Sequence, residues 1–291
     1  MNVLESITKS AEFLSKKGVT ESRLNAELLL SDILKMSRLS LYLNFERELT
    51  TVETDTYRNY IVRRSKFEPL QYIVGNVEFY GLTFNVDKNV LIPRQETETL
   101  IETVYNVYKG ERELNILDIG TGSGNVIISL IKNLPTSRGI SIDINENALQ
   151  VAEHNAELND VKDRIKFIQK DILTDLVNFE DNFDIVVSNP PYIPIEEYPT
   201  LQKELVEYEP KDALTDFSDG FTFYRVILRR SKEFLKNNGR LFFETGDKMS
   251  DELKNLFVVN GYKNIKAKKD LLNIERVIFG EYIESNSPKS I

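Results

Sequence analysis

From Leu114 onward the chain alternates short apolar runs with longer amphipathic ones, and this alternation restricts the fold more than any other feature. Residues 114–119 read as a buried strand. Residues 125–134 carry helical spacing and stop at Pro135. A second strand at 139–144, a helix at 146–158, a third strand at 165–169 and a fourth at 183–187 follow. A helix over 221–235 precedes a strand at 240–244. Another over 249–259 precedes two strands, 262–267 and 276–279. Strands separated by helices predict an α/β fold with a mostly parallel, doubly wound sheet; two closing strands with no helix between them predict an antiparallel edge.

The segment before this is different. Leu4, Ile7, Ala11 and Leu14 recur at helical spacing, and Gly18 follows as a stop. Leu24, Leu28 and Leu29 begin a second stripe, and residues 54–67 suggest a third helix carrying the basic cluster Arg63-Arg64-Ser65-Lys66. That cluster reads as a solvated face or, less simply, as a partner contact. Residues 70–92 are rich in β-formers punctuated by Gly75 and Gly81, which predicts a hairpin. After Pro93 the helical pattern resumes over 95–108. The expected organisation is a small helical domain at 1–69, a β-hairpin connector at 70–93, an α/β domain at 94–280 and a loose tail at 281–291.

In a doubly wound sheet the first strand-to-helix turn is the usual nucleotide site. Here it reads Asp118-Ile119-Gly120-Thr121-Gly122-Ser123-Gly124. A dinucleotide fingerprint would place its third glycine at 125, which is Asn125. Asp118, two residues before the first glycine, suits a ligand with a cationic amino-acid end better than a pyrophosphate. Asp143 ends the second strand, where a carboxylate can accept both ribose hydroxyls. Asp171 follows the third strand and can accept from an adenine amino group, while Ile172 packs on the ring. These residues together point to S-adenosylmethionine; a nicotinamide cofactor and a purely structural turn are the alternatives.

The fourth strand runs into Asn189-Pro190-Pro191-Tyr192. Proline fixes φ, donates no backbone hydrogen bond and drives the preceding residue into an extended conformation. What remains is a carboxamide, bare carbonyl acceptors and an aromatic face, a set suited to holding a planar –NH2 by its two protons. Asn189, Pro190 and Tyr192 are the catalytic candidates, and Pro191 joins them as a substrate contact. The expected reaction is methyl transfer to an amide or amine nitrogen. Composition agrees. With no cysteine and His154 as the single histidine, thiolate or multi-histidine metal sites and a Ser-His-Asp triad are excluded or improbable, and no metal is called for. The formal charge of −9 favours a basic protein partner over duplex DNA. No amino-terminal apolar run is long enough for a signal peptide or a membrane span, so a cytoplasmic protein with no membrane partner is expected.

The Asn-Pro-Pro-Tyr motif is shared by N6-adenine DNA methyltransferases and protein-glutamine N5-methyltransferases. Further segments narrow this: Glu68-Pro69-Leu70-Gln71-Tyr72-Ile73-Val74-Gly75, Leu91-Ile92-Pro93-Arg94 with Glu96-Thr97-Glu98, Tyr208-Glu209-Pro210, Asp219-Gly220 and Asn273-Ile274-Glu275-Arg276-Val277. With these the chain resembles the peptide chain release factor glutamine methyltransferase (PrmC/HemK) family as far as about Gly280. The resemblance implies a class I S-adenosylmethionine-dependent methyltransferase fold with a substrate-recognising amino-terminal domain. It implies methylation of the glutamine in the Gly-Gly-Gln loop of class I release factors. Cofactor contacts are implied at Gly120 through Gly124, Asp143, Ile172 and Asn189, and substrate contacts at Asn189, Pro190, Pro191 and Tyr192. Gln95 stands where the family usually has proline after Pro-Arg, and Asn125 where it has a small residue; these put the local loop conformation and the helix start in question. The nearest alternative is the sister enzyme acting on a ribosomal large-subunit protein. A more distant one is adenine methylation of DNA, against which stand the acidic charge and the lack of an evident target-recognition domain.

Overall fold

The computed structural model describes residues 1–110, 113–175, 179 and 182–284. The chain forms two compact units, Met1–Asn76 with Gln202–Tyr208, and Val77–Leu201 with Glu209–Ile291.

The first unit contains α1 (Val3–Lys16), α2 (Ser22–Leu34), α3 (Arg38–Leu43), α4 (Thr51–Arg64) and α5 (Leu70–Val74). Its core gathers Ile7, Leu14, Leu29, Leu30, Leu41, Tyr57 and Ile61. The start of α4 lies earlier than the apolar pattern predicts. Thr50 Oγ1 accepts from the Glu53 N–H and the Glu53 carboxylate accepts from the Thr50 N–H, a reciprocal cap that fixes the first turn. The sequence pattern does not announce α3; Ser37 caps it by accepting from the Ser40 N–H. Residues 70–74 depart from the expected hairpin and are helical. Pro69 stands at the amino end, Gly75 ends the turn with φ 87°, and Tyr72 and Ile73 are buried. Burial of these side chains overrides their β propensity. The basic cluster is largely used internally. Arg63 pairs with Glu68. Arg64, 5% exposed, donates to Asn25 Oδ1 at 2.7 Å, to the Glu68 carbonyl at 2.9 Å and to Glu204 Oε2 at 2.8 Å. A buried charged group is costly unless its donors are paired in this way, and the pairing holds the segment Gln202–Tyr208 in the first unit.

The second unit opens with the hairpin β1 (Asn76–Phe79) and β2 (Leu82–Asn85), shorter than the expected connector. Gln95 begins a single 3-10 turn, Gln95–Thr97, that leads into α6 (Glu98–Tyr108). Then come β3 (Asn115–Ile119), α7 (Asn125–Asn133), β4 (Arg138–Asp143), α8 (Glu146–Leu158), β5 (Ile165–Gln169) and β6 (Phe183–Ser188). Next are α9 (Lys203–Tyr208, in the first unit), α10 (Thr222–Arg230), β7 (Leu235–Glu244), α11 (Ser250–Val259), β8 (Lys263–Lys269) and β9 (Glu275–Glu281). Asn125 starts α7 and accepts from Ser123 Oγ. The helix expected to reach residue 235 stops earlier, because Leu235 pairs with Phe183 as the first residue of β7. The expected tail is still strand to Glu281, and from residue 285 it lies outside the described residues.

The seven strands lie in the order β5-β4-β3-β6-β7-β9-β8. The first five are parallel; β9 runs antiparallel to β7 and β8 antiparallel to β9. Leu100, Ile101, Ile127, Ile131, Ile116 and Ile185 fill one face and Leu117, Val186, Tyr224, Ile227, Phe243 and Phe257 the other, as alternation along buried strands requires. The strand order reverses between β3 and β6. In open α/β sheets the crevice at the carboxyl ends of such a pair is where ligands bind.

Candidate active site

Strand register brings the predicted residues together. Ile119 of β3 pairs with Ser188 of β6 and with Ile142 of β4. The glycine loop, Asn189 and Asp143 therefore leave the sheet at one level, each just beyond a paired residue. Asp143 is itself paired with Gln169, so Asp171 lies two residues past the next strand end.

These ends surround a cavity of about 520 Å³, within the range of small-molecule sites. Gly120, Thr121, Gly122, Ser123, Asp143, Asp171, Ile172, Asn189, Pro190 and Pro191 line it; Asp118, Gly124 and Tyr192 do not. The loop is tied down by the Gly120 and Thr121 N–H groups donating to the Ile142 carbonyl, and by the Gly122 N–H donating to Asp143 Oδ2 at 2.9 Å. Gly120 and Gly122 have φ of 85° and 53°, and a Cβ on either would meet nothing within 4 Å, so the loop faces open space. Asp143 Oδ1 accepts from the Asn145 N–H. Its carboxyl is pushed above its ordinary value, first by burial. Asp171 accepts from the Leu173 N–H and from Thr174 Oγ1, and so shapes its own turn while lining the cavity.

Asp118 sits behind the loop and does not face the cavity. Its Oδ2 accepts from Ser141 Oγ at 2.7 Å, Ser141 lies 2.6 Å from Thr121 Oγ1, and Oδ1 is buried with no partner among the described residues. The direct ligand contact expected of it becomes support for Thr121 from within. Burial raises its carboxyl from 3.8 to about 7. The folded state then holds this proton more tightly than the unfolded chain, so its contribution favours folding below the ordinary value and is lost as pH rises through about 7. Asp118→Asn should gain stability over the parent at about pH 8 and lose that advantage by about pH 4. Thermal melts at both values test this, and a gap that does not change with pH would contradict it.

Asn189 donates from Nδ2 to Thr97 Oγ1 at 3.3 Å, and among the described residues nothing donates to its Oδ1 or to the Pro190 carbonyl. Tyr192, expected against the substrate plane, is turned elsewhere. A Cβ on Gly246 would lie 3.1 Å from Tyr192 Cδ2, so the ring rests on that glycine, and its hydroxyl lies 3.5 Å from Glu244 Oε1.

Three parts of the site carry no role in the sequence reading. Arg94 pairs with the buried Glu209, which also accepts from the Ile92 N–H, so two of the quoted motifs are one contact. Asp216 accepts from the Ser218, Gly220 and Thr222 N–H groups and shapes the loop opposite Tyr192. Gly220 has φ 83°, and a Cβ there would lie 2.4 Å from the Tyr192 carbonyl oxygen. Gly220→Ala is expected to cost about 2 kcal/mol of stability through backbone strain and to lower turnover by displacing the Asn189–Tyr192 segment. Denaturant titration beside an activity assay checks both, and an unperturbed variant would show that this loop yields freely. The recognisable signal was Asp219-Gly220, and only the tertiary contact gives it meaning.

Comparison with known proteins agrees with this geometry. Residues 5–75 match the PrmC N-terminal domain family and residues 111–285 a methyltransferase domain family. Among solved structures, the hMettl16 catalytic domain in complex with MAT2A 3′UTR hairpin 6 shares the fold. Its TM-score is 0.58 at 16% identity, over 81% of this chain and 83% of that one. The sheet order and the crevice with its glycine loop define a class I methyltransferase. The release factor glutamine methyltransferase of Fusobacterium nucleatum is 38% identical over 279 residues, covering 96% of this chain and 78% of that protein. Those of Leptospira interrogans (38% identical, covering 95% and 97%) and Geobacter sulfurreducens (37%, covering 92% and 92%) are similar over nearly their whole lengths. The chain belongs to the release factor glutamine methyltransferase family.

Proposed function

We propose that the protein transfers a methyl group from S-adenosylmethionine to the side-chain amide N5 of the glutamine in the Gly-Gly-Gln motif of class I release factors. The observation that carries this reading is the Asn189 amide. Thr97 holds its nitrogen, and its Oδ1 is left bare at the cavity beside an unpaired Pro190 carbonyl.

The residues present suit the cofactor. The glycine loop leaves open space, and Asp143 keeps acceptor capacity beyond its backbone hydrogen bonds. Asp143 would accept the ribose hydroxyls, and Asp171 and Ile172 would hold the adenine. When bound, the cofactor supplies an electrophilic methyl on a sulfonium and a neutral leaving group.

An amide nitrogen is a poor nucleophile because its lone pair is delocalised into the carbonyl. Asn189 Oδ1 and the Pro190 carbonyl would each accept one N–H of the substrate amide, hold its plane and bias the lone pair toward the methyl. Positioning of this kind is worth roughly 7–11 kcal/mol. After transfer the nitrogen is strongly acidic and gives up one of its N–H protons to water, which restores a neutral N-methyl amide. No side chain with an ordinary pKa near neutrality is required.

A glutamine side chain is common, so the choice of protein must rest on remote contacts, whose binding energy also supports the chemical step. We assign these to the first unit. Arg63 and Arg64 are engaged internally and are poor candidates; Leu39 and Leu43, 71% and 78% exposed on α3, are better ones. Replacing both by serine should lower kcat/KM on intact release factor about tenfold, the scale of an apolar anchor, and leave a short Gly-Gly-Gln peptide unaffected. Equal losses on both substrates would remove the recognition role.

The direct test is incubation with S-adenosylmethionine and a class I release factor, then mass spectrometry of a tryptic digest. One added methyl on the Gly-Gly-Gln glutamine is expected. Methylation of a ribosomal protein in its place, or of adenine in DNA at a rival rate, would overturn the reading.

A further inference from the structure

The turn that follows β5 is held from outside by a side chain with no part in the scheme above. Asp171, Ile172 and Leu173 of this turn line the cavity. The turn is closed on itself: the Asp171 N–H donates to Asp175 Oδ2 at 2.9 Å, and the Asp175 N–H donates back to the Asp171 carbonyl at 2.9 Å. The carbonyls of Ile172 and Asp175 accept from Nη1 and Nη2 of Arg230, the last residue of α10. Among the described residues no other group donates to either carbonyl.

One face of α10 makes the rest of this contact. Ile227 lies three residues before Arg230 and Phe223 four before Ile227, the spacing of neighbours on a helix surface. Ile227, fully buried, packs in one cluster with Ile172, which is 5% exposed, and both Phe223 and Ile227 line the cavity. Apolar packing sets how far Ile172 stands from the helix, but it is non-directional and does not fix how the turn is rotated. Two hydrogen bonds from one guanidinium do. The fork is planar and rigid, and each donor sets the direction of one carbonyl. The Asp171 carboxylate moves with the turn, because its oxygens accept from the Leu173 N–H and Thr174 Oγ1 of the same turn; each oxygen keeps a further lone pair.

We infer that Arg230 is a positioning residue for the cofactor's adenine: its guanidinium clamps the 171–175 turn to α10 and so sets where Asp171 and Ile172 meet the base, without touching it. This rests on the proposed S-adenosylmethionine site. An unclamped turn would still form, since Asp171 and Asp175 close it from within. It would sample positions in which the Asp171 carboxylate misses the adenine amino group, and each binding event would then cost the ordering of the turn. The chemistry lies elsewhere. Asn189 leaves the sheet at β6, three strands from β5, about 14 Å at the ordinary strand spacing. Loss of the clamp therefore acts on cofactor affinity and leaves the methyl-transfer step nearly as it was.

The test uses the full-length protein. Arg230→Met keeps the apolar stem and removes the donors. Calorimetry should show S-adenosylmethionine bound about tenfold more weakly, near the lower end for hydrogen bonds from a charged donor, while kcat at saturating cofactor and KM for the release factor stay close to those of the parent. S-adenosylhomocysteine and its hypoxanthine counterpart, which lacks the amino group, give a readout that a merely structural role would not move. The parent should prefer the adenine form, and in Arg230→Met that preference should largely disappear. Parent-like affinity in Arg230→Met, or weakened affinity with an undiminished preference for adenine, would overturn the inference. If Arg230→Met does not fold, Arg230→Lys decides: a point charge on a flexible stem cannot replace the fork, a loss of about threefold is expected, and parent affinity refutes the clamp. Asp171→Ala separates the levels. A weakened Asp171→Ala beside a parent-like Arg230→Met refutes only the clamp. Undiminished binding in Asp171→Ala refutes the adenine assignment, and a parent that binds no S-adenosylmethionine refutes the proposed function.

Discussion

Asn189→Ala is expected to reduce kcat by about 10²–10³, the scale of losing one preorganised polar group aimed at the reacting centre. The physical ground is the bare Oδ1 at the cavity. In the ground state the substrate amide is neutral, and an acceptor on its N–H contributes modestly. As the nitrogen attacks, positive charge develops on it and the same N–H bonds become strongly donating. Most of the interaction is then realised in the transition state, so kcat falls more than KM for the protein substrate changes. Asn189 also borders the cofactor space, and a modest loss of cofactor affinity is compatible with this. Steady-state kinetics at saturating cofactor, with folding checked by thermal melt, measures the effect. Near-normal turnover in a folded variant would remove Asn189 from the chemistry.

The second large effect is expected at Asp143. Its two oxygens accept from the Gly122 and Asn145 N–H groups, so the side chain fixes the glycine loop as well as offering its remaining lone pairs to the cavity. Asp143→Ala should weaken S-adenosylmethionine binding by about 1.5–3 kcal/mol, the range for hydrogen bonds to a charged group. Part of that loss comes from the loop, since the Gly122 N–H loses its acceptor. Asp143→Asn should be milder, because an amide oxygen can keep one of the two backbone bonds. Calorimetry on both variants tests this, and unchanged affinity in folded Asp143→Ala would dismiss the ribose assignment.

Both positions were legible in the sequence because each ends a strand. A run such as 139–144 identifies itself by its apolar pattern, and a polar residue at its end must lie at the sheet's edge, where ligands reach it. The glycine loop and Asn-Pro-Pro-Tyr were legible for a related reason: glycine and proline carry their backbone consequences with them, whatever the surroundings. The same local logic misplaced Leu70–Val74, whose β-forming side chains are helical because burial in the first unit decides. It also left Gln202–Tyr208 outside the first unit, since long-range contacts, the Arg64–Glu204 pair 140 residues apart in the chain and Tyr208 donating to the Lys66 carbonyl, show where that segment belongs.

The sequence by itself determined the α/β alternation, the glycine loop, the carboxylates at the end of β4 and just past β5, and the amide proposed to meet the substrate. Each follows from a local pattern of period, punctuation or residue chemistry. Only the tertiary structure decided that Asp118 supports the loop from behind, that Tyr192 turns toward Glu244, that Gly220 must lack a Cβ, and that Thr97 holds the Asn189 amide nitrogen. Those facts depend on which strand lies beside which and in what register. Long-range burial sets that, and no short stretch of sequence encodes it.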